Sequence, residues 1–435
     1  MSEVSVIAER PTPGTPRPYD FPPVERSRLG NGLSLVIADL PGRPLVSATL
    51  VLRNGAVDEP DADGGATVLA ARALTEGTET HDAVALIEAT ERLGASIHAE
   101  AGWDAMSIGV DVPAARLAAA LELLAEVALT PTFPEAEVER LRDERLNDLL
   151  QAEADPRRRA DEAFAATIYS AGSAYRRPSG GTKETVEGLD AGRLRAAYQR
   201  GLDPGRATLV VGGDLGGLDV AAIAERLLGS WGARFGAESR GTIVAESAVR
   251  ERFVRVLHRP GSVQTEIRIG HIGVPRRIPD FHALSVMGAI LGGLFNSRLN
   301  TKLREEKGYT YGAGAGFDLR RGAGPFAARA AVNTEVTVPA ILDTMAELER
   351  IGDAPVTDDE LRLARDFLIG VFPLRFETAG AIVGALAGLA VHDLPDDELA
   401  RYRAGIEAVT IDHVQAAATT HVRPAAAAIV LVGDV

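Results

Sequence analysis

The run Ala207-Thr-Leu-Val-Val-Gly-Gly-Asp214 is an apolar strand stopped by Gly-Asp turn chemistry, and Ala427-Ala-Ile-Val-Leu-Val-Gly-Asp434 repeats it about 220 residues later. Working back from each run, the same order of features recurs. Pro41-Gly42 leads into the strand-like Leu45 to Arg53, and Pro260-Gly261 leads into Val263 to Gly270. A Pro-Asp turn follows in both halves, Glu59-Pro60-Asp61 and Pro279-Asp280, and then an apolar helical stretch. The chain therefore reads as a duplicated domain. Its boundary falls in Gly232 to Arg250, where Gly, Ser and charge replace apolar periodicity. The expected layout is an N-terminal domain over 25–235, a linker over 236–250 and a C-terminal domain over 251–435. Residues 1–24 read as an extended arm, because prolines at 11, 13, 16, 18, 22 and 23 remove backbone donors and fix φ too often for helix or central strand.

Each half mixes strands with long amphipathic helices. Ala114 to Val127 and Glu135 to Ala154 carry apolar residues at three- and four-residue steps, the second opening at Pro134. Strand-like stretches come in adjacent pairs with short connections, as in Ser96 to Val112, which favours antiparallel pairing. The expected class is α+β, two homologous domains, each a mainly antiparallel sheet packed with helices.

The balance of charge narrows the functions. The 435 residues hold 46 Lys plus Arg against 61 Asp plus Glu, a net charge of −15, which argues against binding nucleic acid or an anionic membrane. No cysteine is present, so disulfides, thiolate metal sites and cysteine nucleophiles are excluded. Met1 to Arg10 lacks the basic start and apolar stretch of a secretory signal, which gives a cytoplasmic location as the expectation. The uncharged stretch Thr378 to Val391 spans 14 residues, short of the roughly 20 that cross a bilayer, and its Ala and Gly content suits a tightly packed helix. The eight histidines come no closer than eight residues apart, so no two face one metal from adjacent helical turns. Nucleophile-elbow, phosphate-loop and dinucleotide-binding patterns are absent too.

The stretch Leu291-Gly-Gly-Leu-Phe-Asn-Ser-Arg-Leu-Asn-Thr-Lys-Leu-Arg-Glu-Glu-Lys-Gly-Tyr-Thr-Tyr-Gly312 carries the most specific pattern in the chain. It resembles the C-terminal domain of the pitrilysin and mitochondrial processing peptidase family, zinc peptidases with a processing-peptidase/LuxS-like metallohydrolase fold and the inverted motif His-x-x-Glu-His. Asn54-Gly-Ala-Val-Asp-Glu-Pro60 followed by Gly65 to Thr78 looks like the family's N-terminal segment. In that family an Arg and a Tyr seven residues on hold the substrate carbonyl, and the resemblance makes these Arg304 and Tyr311. Arg304 is expected in the last turn of a helix Asn296 to Lys307 stopped by Gly308, with Tyr311 early in the next strand. There Gly312, Gly314 and Gly316 alternate with Ala313 and Ala315, leaving one bare face open to a neighbouring element or an extended peptide. Family members bind substrate as an added edge strand, and the matching strand lies in Ser96 to Val112.

The chain departs from the family at the metal. Where the resemblance places His-x-x-Glu-His, it reads Val68-Leu-Ala-Ala-Arg72, so Val68 and Ala71 offer no ligand or base and Arg72 brings a permanent cation. The third ligand position falls near Asp148. The resemblance implies a chain without a cofactor of its own: the non-catalytic subunit of a heteromeric zinc peptidase. Such a chain is inactive alone and supplies Arg304 and Tyr311 to peptide substrates in the site of a homologous partner, which carries His-x-x-Glu-His and the zinc. The alternative is a structural or peptide-binding core-type subunit with no role in proteolysis.

Overall fold

The computed structural model describes residues 19–232 and 243–435. The expected arm lies outside the described residues up to position 18, and the expected linker up to position 242. Two sheets packed with helices form a mixed α+β structure. The N-terminal sheet contains β1 (Glu25–Arg28), β2 (Ser34–Asp39), β3 (Leu45–Leu52), β4 (Ser96–Ala101), β5 (Met106–Pro113) and β6 (Ala207–Gly213), in the order β1-β2-β6-β3-β5-β4. The C-terminal sheet contains β7 (Phe253–His258), β8 (Gln264–Ile272), β9 (Ala313–Phe317), β10 (Pro325–Asn333) and β11 (Ala428–Gly433), in the order β7-β11-β8-β10-β9. All pairs are antiparallel except β2 with β6 and β7 with β11, the same place in each repeat. The repeated runs became β6 and β11, both buried along their whole length, as continuous apolar runs require.

Side-chain alternation shows what covers each face. From β3 and β5, Val46, Ala48, Leu50, Ile108 and Val110 point into a core with Leu69, Ala70 and Ala73 of the helix Ala66–Ala73. The opposite face carries Val36 and Ala38 of β2 and Val210 of β6. It packs against Ile382, Val383 and Leu386 of the helix Ala379–His392, which belongs to the C-terminal half. The exchange runs the other way too. Ala163, Phe164 and Ile168 of the helix Pro156–Ile168 pack on Ile272, Ala327, Ala428 and Val430 of the C-terminal sheet. Each half thus lends a helix to the other's sheet, and each large aliphatic side chain buried there contributes about 2 kcal/mol. Among the described residues no single helix is long and apolar enough to cross a membrane.

Polar groups lock this arrangement. Arg268 of β8, nearly buried, donates to Asp161 on the lent helix at 2.6 Å and to Glu266 at 2.9 Å. The Arg320 guanidinium lies 4.6 Å from the Trp103 ring and 4.7 Å from the Tyr175 ring, while Asp104 accepts from the Tyr175 hydroxyl at 3.2 Å and the Arg321 N–H at 2.9 Å. Tyr19 stacks on Phe376 at 6.0 Å and Phe21 meets the same ring edge-on at 5.1 Å, tying the start of the described chain to the C-terminal half.

His271 of β8 is a buried neutral imidazole. Its Nδ1–H donates to the Ile272 carbonyl at 2.8 Å and its Nε2 accepts from the Arg423 N–H at 2.9 Å. Burial pushes its pKa down to about 4, and Arg423 pushes the same way. The unfolded chain therefore takes up this proton near pH 6.5 and the folded chain does not, so the stability from this group is full above pH 6.5 and drains as pH falls towards 4. The loss reaches on the order of 3 kcal/mol. Urea midpoints measured across this window should fall less steeply for His271→Gln than for the wild type; parallel profiles would refute this account.

Candidate functional site

The helix Ala66–Ala73 is anchored at its start by a buried carboxylate. Glu59 accepts from the Gly65 N–H at 3.0 Å, the Thr67 N–H at 2.6 Å and the Arg177 guanidinium at 2.8 Å. A carboxylate there meets unpaired N–H groups and the positive end of the helix dipole. Its side chain is 1% exposed, and burial raises its pKa against the opposing pull of Arg177 and the two N–H groups. Asn54-Gly-Ala-Val-Asp-Glu-Pro60 thus has a mechanical purpose that sequence reading missed: through Glu59 it positions the helix Ala66–Ala73.

On that helix Val68 is half-buried, Ala71 is fully buried and Arg72 faces solvent. The Arg72 guanidinium donates to Glu144 on the helix Glu135–Ala154 at 2.8 Å. Arg140 adds bonds to Glu144 at 2.6 Å, Glu137 at 2.7 Å and Glu76 at 2.9 Å. Arg140, then Arg72, hold the Glu144 carboxyl below its usual range. Asp148, one turn further on, pairs instead with Arg145 and Arg158, and the hydrogen bonds from Arg158 lower its pKa first. The structure brings Arg72 to Glu144, while Asp148, the third position the resemblance names, faces Arg145 and Arg158. These residues do not fit a divalent cation. Two positions lack donors, and the third carries a cation already paired with the nearby carboxylate. Among the described residues no three His, Asp or Glu side chains converge as a metal set.

Arg304 and Tyr311 lie in the other half, on a segment wound differently from the expected helix. Arg298–Asn300 is α-helical and Thr301–Glu306 continues with π-helical bonding, a wider turn frequent at functional sites. Leu299 and Leu303 bury its inner face, and Gly308 ends it at φ +65°, a conformation that favours glycine. Arg298 grips Glu360 with two bonds, at 2.6 and 3.0 Å. Burial alone would raise the Glu360 pKa, but the Arg298 fork and the Thr357 N–H outweigh it and hold it at about 2. Asn300 closes the loop, donating to the Phe295 carbonyl at 2.5 Å and accepting from the Ala313 N–H at 3.2 Å.

This frame leaves the Arg304 side chain 37% exposed, its guanidinium 4.6 Å over the Phe295 ring and its Nε 3.4 Å from Glu305. Tyr311 is 93% exposed and lies two residues before β9 rather than within it. The bare face of β9 admits a neighbour: a Cβ on Gly292 would fall 2.0 Å from the Ala315 nitrogen, so the turn Ala289–Gly293 passes against the Gly-Ala strand. In the N-terminal half, β4 forms one edge of its sheet, opposite β1. Beside it runs a groove of about 520 Å³ lined by Thr49, His98, Glu100 and Asp111 on one side and Gly384 and Gly388 on the other.

Comparison with known proteins places this geometry. Residues 35–179 match the family described as insulinase (peptidase family M16), and residues 188–368 match the peptidase M16 inactive domain. An uncharacterized zinc protease of Streptomyces coelicolor is 26% identical over 91% of this chain and 86% of its own length. A non-peptidase homolog, YmxG, of Helicobacter pylori is 24% identical over 72% of each. Among solved structures, a peptidase M16 inactive domain from Pseudomonas fluorescens superposes with a TM-score of 0.88 at 24% identity, covering 95% of this chain and 98% of that one. A protease from Helicobacter pylori gives 0.87 at 18% identity, covering 95% and 100%. The structural likenesses establish the two-domain fold.

The two ion pairs of the helix Ala66–Ala73 differ in worth. Arg72 and Glu144 are both about half-exposed, so Arg72→Ala should cost under about 1 kcal/mol. Glu59→Ala strips a buried guanidinium and two helix N–H groups of their acceptor and should cost about 3 kcal/mol or more. Urea denaturation of both variants checks this, and equal losses would contradict the assignment of Glu59 as the anchor.

Proposed function

Because the chain belongs to the M16 peptidase family, we propose that it is the non-catalytic subunit of a heteromeric zinc peptidase. In this reading it lends Arg304 and Tyr311 to a site whose metal and general base belong to a homologous His-x-x-Glu-His subunit. The observation that carries the reading is the state of the two half-sites. The helix that would grip the ion is rewritten as Val68, Ala71 and a paired Arg72, while Arg304 and Tyr311 remain on a firmly braced segment.

The chemistry of these two residues follows from their setting. Peptide hydrolysis develops negative charge on the carbonyl oxygen, and a guanidinium and a phenol hydroxyl aimed at that oxygen stabilise it. The Phe295 ring restricts where the Arg304 guanidinium can lie, and the Arg298–Glu360 fork fixes the turn that carries it. Donors held in place before the reaction need no reorganisation during it. Tyr311, almost wholly exposed in the single chain, is free to complete a site shared with a second subunit. Peptide would enter along the edge strand β4, read through its backbone more than through its side chains.

In the reconstituted complex, Arg304→Ala and Tyr311→Phe should each lower turnover by about two orders of magnitude, as for loss of one transition-state donor. Thermal midpoints and subunit association should change little, since both side chains are substantially exposed. Steady-state kinetics with matched sedimentation runs test this. Unchanged turnover in both variants would remove the pair from the chemistry and leave the structural or peptide-binding role.

A further inference from the structure

The duplication exposes a difference between the two sheets. In the N-terminal half, β2 runs parallel to the central β6, and its outer edge is filled by the antiparallel strand β1. In the C-terminal half, β7 runs parallel to β11 in the corresponding place, and β7 is the last strand of its sheet. The N–H groups of Phe253 and Arg259 donate to Ala427 and Gly433, on the β11 side. Alternation along the strand therefore turns the N–H and C=O groups of Val254, Val256 and His258 outward.

Edge strands are commonly blunted by charge, proline or a covering loop. Here β7 presents apolar side chains, with Val254 56% and Val256 48% exposed. The helix Thr337–Asp353 is tethered to the residues on either side of β7: Arg252, just before the strand, is paired with Glu349, and the Thr334 N–H, just before the helix, donates to the Val263 carbonyl at 3.2 Å. Pinned at both ends of the strand and its turn, this helix extends the surface with Val338 and Leu342, each 64% exposed, next to Val263 at 81%. Singly such residues are ordinary; side by side along an open edge they form a patch of the kind that interfaces cover.

Charge indicates the occupant. Residues 250–259 hold four arginines and one glutamate in a chain whose net charge is −15. Glu349 neutralises Arg252 and Asp434 lies 3.7 Å from His258, whereas among the described residues the Arg255 side chain donates to the Thr167 hydroxyl and the Arg259 side chain to the Ala154 carbonyl, with no carboxylate partner for either. A second copy pairing through β7 would bring two such cationic strands together, which costs energy. We propose that the outer edge of β7, with Val338 and Leu342 beside it, docks an extended strand of a different polypeptide, antiparallel to β7 as β1 is to β2, apolar at alternate positions and acidic between them. Main-chain bonds to Val254, Val256 and His258 would supply affinity, and the valines and Arg255 would select the sequence. This surface stands apart from Arg304 and Tyr311, so its test needs no hydrolysis.

The test uses the full chain and a fluorescein-labelled, acetylated and amidated peptide of seven residues that alternates Glu and Val. Anisotropy should show saturable binding, weakened at least tenfold by Val254→Asp with Val256→Asp, by Arg255→Glu, and by replacing the peptide's glutamates with lysines. Hydrogen exchange should slow in 253–258 on binding. Circular dichroism and thermal melts confirm that the variants fold, as expected for exposed positions. Absence of saturable binding, binding indifferent to the substitutions, or a homodimer in sedimentation that Val256→Asp dissociates would each overturn the proposal.

Discussion

A central sheet with two apolar faces must be covered on both, and the helices of one half cover only one. That constraint organises the molecule. The N-terminal half keeps the helix Ala66–Ala73 on one face and takes Ala379–His392 from the C-terminal half on the other, while Pro156–Ile168 repays the exchange on the second sheet. The two halves therefore share their cores instead of merely touching. A rigid relation between distant segments follows, and the proposed function needs it: β4 and the segment bearing Arg304 and Tyr311 are held by one packed body.

Within that frame, the chemistry of the helix Ala66–Ala73 is local. Glu59 and Arg177 cap and orient the helix, Leu69, Ala70 and Ala71 face the core, and Arg72, alone of the three positions Val68, Ala71 and Arg72, faces solvent. Arg72 takes a carboxylate from the neighbouring helix as a partner, so a pair of side chains links the two helices. The fold does not depend on an ion for this link. An exposed pair is weak, and the buried Glu59 anchor does more to hold the helix.

Much of this was legible in the residues. The runs at 207–213 and 428–433 read as apolar strands, and they are continuous because both their faces are buried; the Gly-Ala alternation from Gly312 left room for a neighbouring element or a peptide, and Gly292 makes the close approach. Gly308 stopped its helix where a left-handed residue was expected. Other features depend on contacts across hundreds of residues and leave no local trace. Nothing in Thr378 to Val391 says whose sheet its helix will cover. The π-winding over Thr301–Glu306 has no signature in the local residues, and it belongs to the segment that leaves Tyr311 outside β9. In a helix as acidic as Glu135–Ala154, nothing local in the sequence says that Arg72 will pair with Glu144 while Asp148 pairs with Arg145 and Arg158. Glu59 looked like part of a turn, and only its three hydrogen bonds reveal it as the cap of the helix Ala66–Ala73.

The central claim is that this chain lacks the means to hold the ion on which its family's chemistry turns, and the most direct measurement is metal binding by the isolated protein. Zinc titration by calorimetry, followed by dialysis and elemental analysis, should find no stoichiometric zinc retained per chain. One tightly held zinc per chain, together with peptide hydrolysis that a chelator abolishes, would contradict the account.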